Sequence, residues 1–78
     1  MSPESAGPAE GAIAGSVIAF DDPRGYGQVR ADDGRGPWFF HCTAIADGSR
    51  TIEVGTEVRF EVEAGHLGRY EAVAIRPA

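Results

Sequence analysis

Two stretches of the sequence decide the fold: Arg24-Gly25-Tyr26-Gly27-Gln28-Val29 and, nine residues later, Trp38-Phe39-Phe40-His41. The first sets an aromatic residue between two glycines, and the second is a run of aromatic side chains. Aromatic residues favour strands, while clusters of Gly, Pro and Asp mark the turns between strands. We therefore expect two neighbouring strands that carry an aromatic surface.

Further strands are predicted on both sides of this pair. Short β-like runs cover residues 16–20, 26–30, 38–42, 58–63 and 70–76, with turn-forming residues between them and one helical turn at 43–45. In residues 58–63 apolar and charged side chains alternate, as in a strand with one buried face. Five short strands without a substantial helix predict a small all-β barrel, because closure removes the exposed edges of a sheet.

Composition limits the chain to one small domain. Its 78 residues are 42% hydrophobic and 24% charged, which is typical of a globular protein. Met1 to Ala14 is rich in Ser, Pro, Glu, Ala and Gly and shows no periodicity. Residues 1–14 are therefore interpreted as a flexible N-terminal tail and residues 15–78 as the folded domain, which we expect to be a monomer.

The cellular setting is predicted from cysteine usage and hydropathy. Cys42 is the single cysteine, so no internal disulfide can form, which favours a reducing compartment. No apolar run is long enough to span a bilayer, and the N-terminus has no signal-peptide pattern. We expect a cytoplasmic protein without a membrane partner.

The charge balance argues against a uniformly basic surface. Twelve Asp and Glu residues stand against seven Arg and no Lys, and the formal net charge is −5. Nucleic-acid affinity normally gains much of its strength from neutralised phosphates, so this balance does not suggest broad phosphate attraction. The distribution of charge over the two faces of a sheet matters more than its sum, however.

From Gly15 to Pro77 the sequence resembles a bacterial cold-shock domain. The family's opening strand, Gly-Lys-Val-Lys-Trp-Phe, corresponds to residues 15–20, and its first ribonucleoprotein motif, Lys-Gly-Phe-Gly-Phe-Ile, to residues 24–29. Its second motif, Val-Phe-Val-His-Phe, corresponds to residues 38–42, and its following Ser-Ala-Ile to residues 43–45. Residues 55–62 resemble its fourth strand. Two motifs in the right order and spacing make the resemblance specific.

The resemblance implies a five-stranded antiparallel barrel of the oligonucleotide/oligosaccharide-binding type, the OB-fold. It also implies binding of single-stranded RNA or DNA, commonly as an RNA chaperone, and no cofactor. An aromatic sheet surface beside cationic side chains is a common way for proteins to hold unstacked bases.

Strand alternation and the resemblance together select the candidate binding residues. Alternate side chains share one face of a strand, and the family stacks bases at the positions of Phe39 and His41. Outward-facing residues on the preceding strand are then Tyr26 and Gln28. Arg24 is expected to pair with a phosphate or to lie over a base. The full set of candidate nucleic-acid-binding residues is Phe20, Arg24, Tyr26, Gln28, Trp38, Phe39 and His41.

Several of these residues keep a second interpretation. By alternation Trp38 points inward at the rim of the barrel, although strand twist at this position would bring its indole edge to the surface. His41 is expected either to stack on a base or to hydrogen-bond a neighbouring strand. Tyr26 and Phe39 have the alternative of pairing only with each other across the strands.

The chain also departs from the family pattern. Aromatic rings of the family are replaced by Ala19, Gln28, Cys42 and Ser49, and strand-one lysines by Ser16 and Ile18. Each stacked ring is worth about 1–3 kcal/mol, so losing two rings lowers the binding free energy by roughly 2–6 kcal/mol. We therefore expect binding that is weaker, or altered in base preference.

The alternative function is a protein-interaction module on the same barrel. Asp21, Asp22, Asp32 and Asp33 flank the expected strand entry and would repel phosphate. A surface of this kind would have lost most of its nucleic-acid binding.

Neither catalysis nor metal binding is predicted. Cys42 lies beside His41, but no third group at a recognisable spacing would orient the pair as a nucleophile and base. A metal held by His41, Cys42 and His66 would lack a fourth ligand.

Overall fold

A computed structural model describes residues 12–65 and 68–78, and this part of the chain consists mainly of strands. The strands are β1 (Ile13–Asp21), β2 (Tyr26–Ala31), β3 (Trp38–His41), β4 (Glu57–Ala64) and β5 (Tyr70–Pro77). A 3₁₀ helix, Cys42–Ala44, follows β3. Among the described residues, no helical segment has the length and hydropathy to cross a membrane. The prediction of an all-β fold with five strands is confirmed.

The strands close into a barrel in the order β1-β2-β3-β5-β4. The ladders β1–β2, β1–β4, β2–β3 and β4–β5 are antiparallel. The ladder between β3 and β5 is parallel and has a single registered pair, Phe39 with Glu71. The predicted antiparallel arrangement therefore fails at one ladder. The reason is geometric, because strand directions cannot alternate all the way around a ring with an odd number of strands.

The first strand begins earlier than the sequence pattern indicates. Ile13 and Ala14 pair with β4, whereas the sequence predicted a strand from residue 16. The Ile13 side chain packs against the core, and this apolar contact extends the strand toward the N-terminus. The remainder of the predicted tail, residues 1–11, lies outside the described residues, as do His66 and Leu67 of the predicted loop before β5.

Alternate side chains of the strands fill the core. Val58 and Phe60 of β4 are completely buried, while Glu57, Arg59 and Glu61 between and beside them are exposed. Because successive side chains of a strand point to opposite faces, burial of one set directs the other set to the surface. The largest fully buried side chains are Phe40, Phe60, Ile75, Val17, Val29 and Val58.

The turn between β1 and β2 depends on Gly25. Its φ of 76° lies in the left-handed region that glycine adopts without strain. Its N–H donates to the Asp21 carbonyl at 2.7 Å, and its own carbonyl accepts from the Cys42 N–H at 2.7 Å. A Cβ at position 25 would also lie 3.1 Å from the Cys42 Sγ. Gly25 therefore joins the beginning of β2 to the end of β3.

Candidate nucleic-acid interface

Tyr26, Phe39 and His41 present their rings on the outer face of two neighbouring strands. In the β2–β3 ladder Tyr26 lies opposite His41, and Gln28 lies opposite Phe39. Tyr26 is 40% exposed and Phe39 47% exposed, whereas Phe40 between Phe39 and His41 is 1% exposed. The outward orientation predicted for these three rings is confirmed. We call Tyr26, Phe39 and His41 the aromatic face.

Phe20 lies at the margin of the aromatic face. A Cβ at Gly27, opposite Phe20 on β2, would approach the Phe40 ring to 2.9 Å and the Phe20 ring to 3.0 Å. Glycine at this position thus leaves room for the Phe20 ring, which stacks on Phe40 with 5.9 Å between ring centroids. Because this contact half-buries Phe20, only part of its surface is available to a ligand.

A bulge in β1 turns two further side chains toward the aromatic face. The register shifts between Val17 and Ala19, after which Ala19 lies opposite Gln28 and Asp21 opposite Tyr26. A groove of about 250 Å³ results beside the aromatic face. Its lining residues are Ala19, Phe20, Asp21, Tyr26, Gly27, Gln28 and Phe39. The structure thus brings four of the predicted site residues together: Phe20, Tyr26, Gln28 and Phe39.

Arg24 lies at one end of the aromatic face and forms an ion pair with an acidic neighbour. Its Nε is 3.7 Å from Asp21 Oδ2, and its Nη1 donates to the Tyr26 hydroxyl at 3.5 Å. The backbone N–H of Arg24 also donates to Asp21 Oδ1 at 3.2 Å. Both side chains of the ion pair are well exposed, and exposed pairs are weak. A phosphate can therefore compete with Asp21 for the guanidinium.

β2 carries a second cation that sequence analysis did not select. Arg30 is exposed and follows Tyr26 and Gln28 at intervals of two residues, so all three side chains point to the same side of β2. Its neighbour on β1 is Ser16. The alternation along β2 was the signal that could have identified it. Two arginines thus flank this strand, Arg24 before its beginning and Arg30 near its end.

Acidic side chains border the aromatic face on the side of β5. The parallel β3–β5 ladder places Glu71 beside Phe39, and Glu63 lies opposite Glu71 in the β4–β5 ladder. Sequence analysis did not predict this border, because it depends on how the barrel closes. The two carboxylates oppose the approach of a phosphate from this side.

Two of the four aspartates expected to repel phosphate are paired with an arginine, Asp21 with Arg24 and Asp33 with Arg35. Arg35 Nε lies 2.9 Å from Asp33 Oδ2. The hydrogen bond from the Arg35 backbone N–H, with that from its side chain, holds the pKa of the exposed Asp33 carboxyl below its ordinary value. Asp33 therefore contributes less repulsion than its formal charge suggests.

His41 is held in place by the turn that follows β3. Its Nδ1 accepts a hydrogen bond from the Thr43 backbone N–H at 3.2 Å and lies 2.9 Å from the Thr43 hydroxyl oxygen. It thereby caps the 3₁₀ helix. The predicted hydrogen bond is formed, but with this turn instead of a neighbouring strand. The ring remains exposed, and fixing it in advance reduces the entropy lost when a ligand packs on it.

Trp38 and Cys42 lie away from the outer surface of β3. Trp38 is half-buried and makes an edge-to-face contact with Phe60, with 5.6 Å between centroids, so its predicted inward orientation is confirmed. It is not among the residues that line the groove. Cys42 is a buried free thiol within the core. In the described ranges, 12–65 and 68–78, no three His, Cys, Asp or Glu side chains form a cluster suited to a metal ion.

Comparisons with a family model and with individual proteins identify the same family. The model of the 'Cold-shock' DNA-binding domain matches residues 13–78. Cold shock protein CspB of Bacillus caldolyticus is 36% identical over 63 residues, which are 80% of this chain and 94% of that protein. Cold shock-like protein CspA of Stigmatella aurantiaca is 42% identical over 55 residues, 69% of this chain and 81% of that protein.

A longer plant protein also matches. Glycine-rich protein 2 of Nicotiana sylvestris is 40% identical over 62 residues, which are 78% of this chain and 29% of that protein. The family match begins at the first residue of β1 and includes every strand of the barrel, together with the aromatic face. The chain therefore belongs to the cold-shock domain family, a family of nucleic-acid-binding proteins.

Proposed function

We propose that the barrel binds single-stranded RNA or DNA by stacking bases on the aromatic face, and that it acts as an RNA chaperone or regulator. The observation that carries the proposal is the exposure of Tyr26 and Phe39, at 40% and 47%, on adjacent strands. Stacking on such rings tolerates any base, since every base has a π-face. A protein that keeps varied transcripts unpaired needs this tolerance.

The affinity that we propose for nucleic acid is lower than that of family members that keep all of the stacking rings. Ala19 and Gln28 occupy positions where the family usually stacks rings, and Cys42 is buried. Loss of two rings corresponds to roughly 2–6 kcal/mol of binding free energy, or about one to four decades in Kd. The carboxylates of Asp21 and Glu71 beside the site weaken phosphate binding further.

Titration with short single strands tests the proposal. Fluorescence anisotropy of labelled DNA and RNA heptamers at low salt should show saturable binding, and a duplex of the same sequence should bind more weakly. Amide shifts in ¹⁵N–¹H spectra should be largest around residues 26–28 and 39–41. The proposal is contradicted if no heptamer saturates at high micromolar concentration, or if the shifts map to another face.

A protein-interaction module is the second candidate, favoured by the acidic border of the aromatic face. A further groove of about 400 Å³ shares Phe20 with the groove beside the aromatic face, and its lining residues are Phe20, Asp22, Thr51, Ile52, Glu53 and Val54. Its mixture of apolar and acidic side chains does not suit a phosphate backbone. Amide shifts in response to cell-extract protein, with none for any oligonucleotide, would select this function.

We propose further that the protein is a cytoplasmic monomer that binds nucleic acid and does not catalyse a reaction. Sedimentation velocity with and without a heptamer checks the stoichiometry. One sedimenting species of monomer mass, shifted by the mass of one strand, is expected.

A further inference from the structure

We propose that the groove beside the aromatic face receives the edge of one base and favours cytosine and adenine, whose N4 and N6 amines lie where uracil and guanine carry a carbonyl oxygen. This inference rests on the proposed single-strand binding and adds a base preference to it. It concerns the position of Gln28, where the family has an aromatic ring and this chain has a polar side chain.

Gln28 supplies a hydrogen-bonding group to the lining of this groove. It is half-buried and lies between Ala19 of β1 and Phe39 of β3, directly opposite both. Its amide carries donors and an acceptor. The side-chain hydrogen bonds of residues 12–65 and 68–78 include none made by that amide. Ala19, which lines the same groove, has only a methyl group and leaves space beside the amide. Side chains opposite each other across strands lie about 5 Å apart, so a base on Phe39 brings its edge within reach of Gln28.

Asp21 provides the selectivity that Gln28 alone cannot provide. The Gln28 amide can rotate to match either a donor or an acceptor on the base, whereas an ionised carboxylate only accepts. Asp21 lines the same groove, and Arg24 contacts its carboxylate at 3.7 Å without covering it. An exocyclic amine donates to this carboxylate, as the N4 amine of cytosine does to acidic side chains. The O4 carbonyl of uracil would instead face a negative charge.

Oligo(dC) and oligo(dU) heptamers isolate this effect, because cytosine and uracil have similar stacking surfaces and differ at the Watson–Crick edge. By anisotropy at neutral pH, the protein should bind oligo(dC) at least about five-fold more tightly than oligo(dU), the ratio expected for one selective base contact. Asp21→Asn, which can donate as well as accept, should bring the two affinities to within about two-fold. Gln28→Leu should weaken the binding of both heptamers.

The charge-matched control is Glu57→Gln. Glu57 is exposed on β4 opposite Ser16 and does not line the groove, so this variant should keep the preference for oligo(dC). Equal binding of both heptamers, or an undiminished preference in Asp21→Asn, overturns the inference and leaves single-strand binding intact. Failure of both heptamers to bind overturns the proposed function and this inference with it.

Discussion

Phe39 and Phe40 are neighbours in sequence, and the pleat of β3 directs their rings to opposite faces. Phe39→Ala is expected to weaken heptamer binding about 5- to 150-fold, since a stacked ring is worth ~1–3 kcal/mol. Its unfolding free energy should change little, because the ring is already 47% exposed. Anisotropy and urea denaturation measure the two effects. Val54→Ala, at an exposed loop residue, is the control and should alter neither quantity.

Phe40→Ala should show the opposite behaviour. The ring is 1% exposed and stacks on Phe20, so its removal leaves a cavity in the core. The unfolding free energy should fall by about 3–5 kcal/mol. Urea denaturation with linear extrapolation measures the loss, and Phe40→Leu should lose less. A loss below about 1 kcal/mol in Phe40→Ala would contradict the packing described for this ring.

At the scale of single residues, alternation combined with the family resemblance was enough to predict which rings face outward. It gave Tyr26 and Phe39 on the surface and Phe40 in the core, because the side-chain period of a strand follows directly from its backbone. The contact between Arg24 and Asp21 was not predictable in this way, since it depends on the turn that positions both side chains. The inclusion of Ala19 and Asp21 in the groove depends on a bulge, which alternation cannot reveal.

Among the strand elements, the β4–β5 ladder contains an unfavourable pair. Glu63 and Glu71 lie directly opposite each other, and like charges at such positions destabilise a sheet. Glu63→Gln should therefore raise the unfolding free energy by about 0.2–1 kcal/mol at low salt, with a smaller gain at high salt because of screening. Denaturant titrations at two salt concentrations measure the difference.

The control for this prediction is again Glu57→Gln, which removes the same charge at a position opposite Ser16. It should raise the unfolding free energy less than Glu63→Gln does. Equal gains in the two variants would assign the effect to the net charge of the protein and not to the glutamate pair.

The bounds of the strands were predicted to within a few residues, but the pairing of the strands was predicted only in part. The pattern of β4, with Val58 and Phe60 separated by charged residues, identifies a half-buried strand from local information. The start of β1 was missed because Ala14 and Gly15 resemble a flexible segment until β4 is available for pairing. The contact between Phe39 and Glu71 joins residues distant in sequence and appears only when the barrel closes.

For the whole molecule, the balance of charge predicts a weak dependence of binding on salt. The net charge is −5, and the cations beside the aromatic face are Arg24 and Arg30. Each phosphate contact with a single strand contributes about −0.7 to the slope of log K against log salt, so two contacts give roughly −1.4. Anisotropy titrations over a range of NaCl concentrations measure this slope.

Arginine variants assign the slope to particular contacts. Arg30→Ala should make it shallower by about 0.7. Arg35→Ala, which removes a cation already paired with Asp33 in the β2–β3 loop, should leave it unchanged. A slope steeper than about −3 in the unmodified protein would require more phosphate contacts than these two arginines provide.

The closure of the barrel between β3 and β5 has a dynamic consequence. This ladder has one registered pair, and the bridge between Ile45 and Ile75 continues it, whereas six pairs join β4 to β5. Local opening of a native protein starts where the fewest contacts must break, so the barrel should open first along this seam. Phe39 lies in this ladder, and a single-stranded oligonucleotide bound across the ladder would resist its opening. Bound oligonucleotide should therefore slow hydrogen exchange of the amides around residues 39–46 and 71–75 more than elsewhere in the barrel. Ligand binding and the local opening of the barrel would then be coupled, because the oligonucleotide binds the closed form.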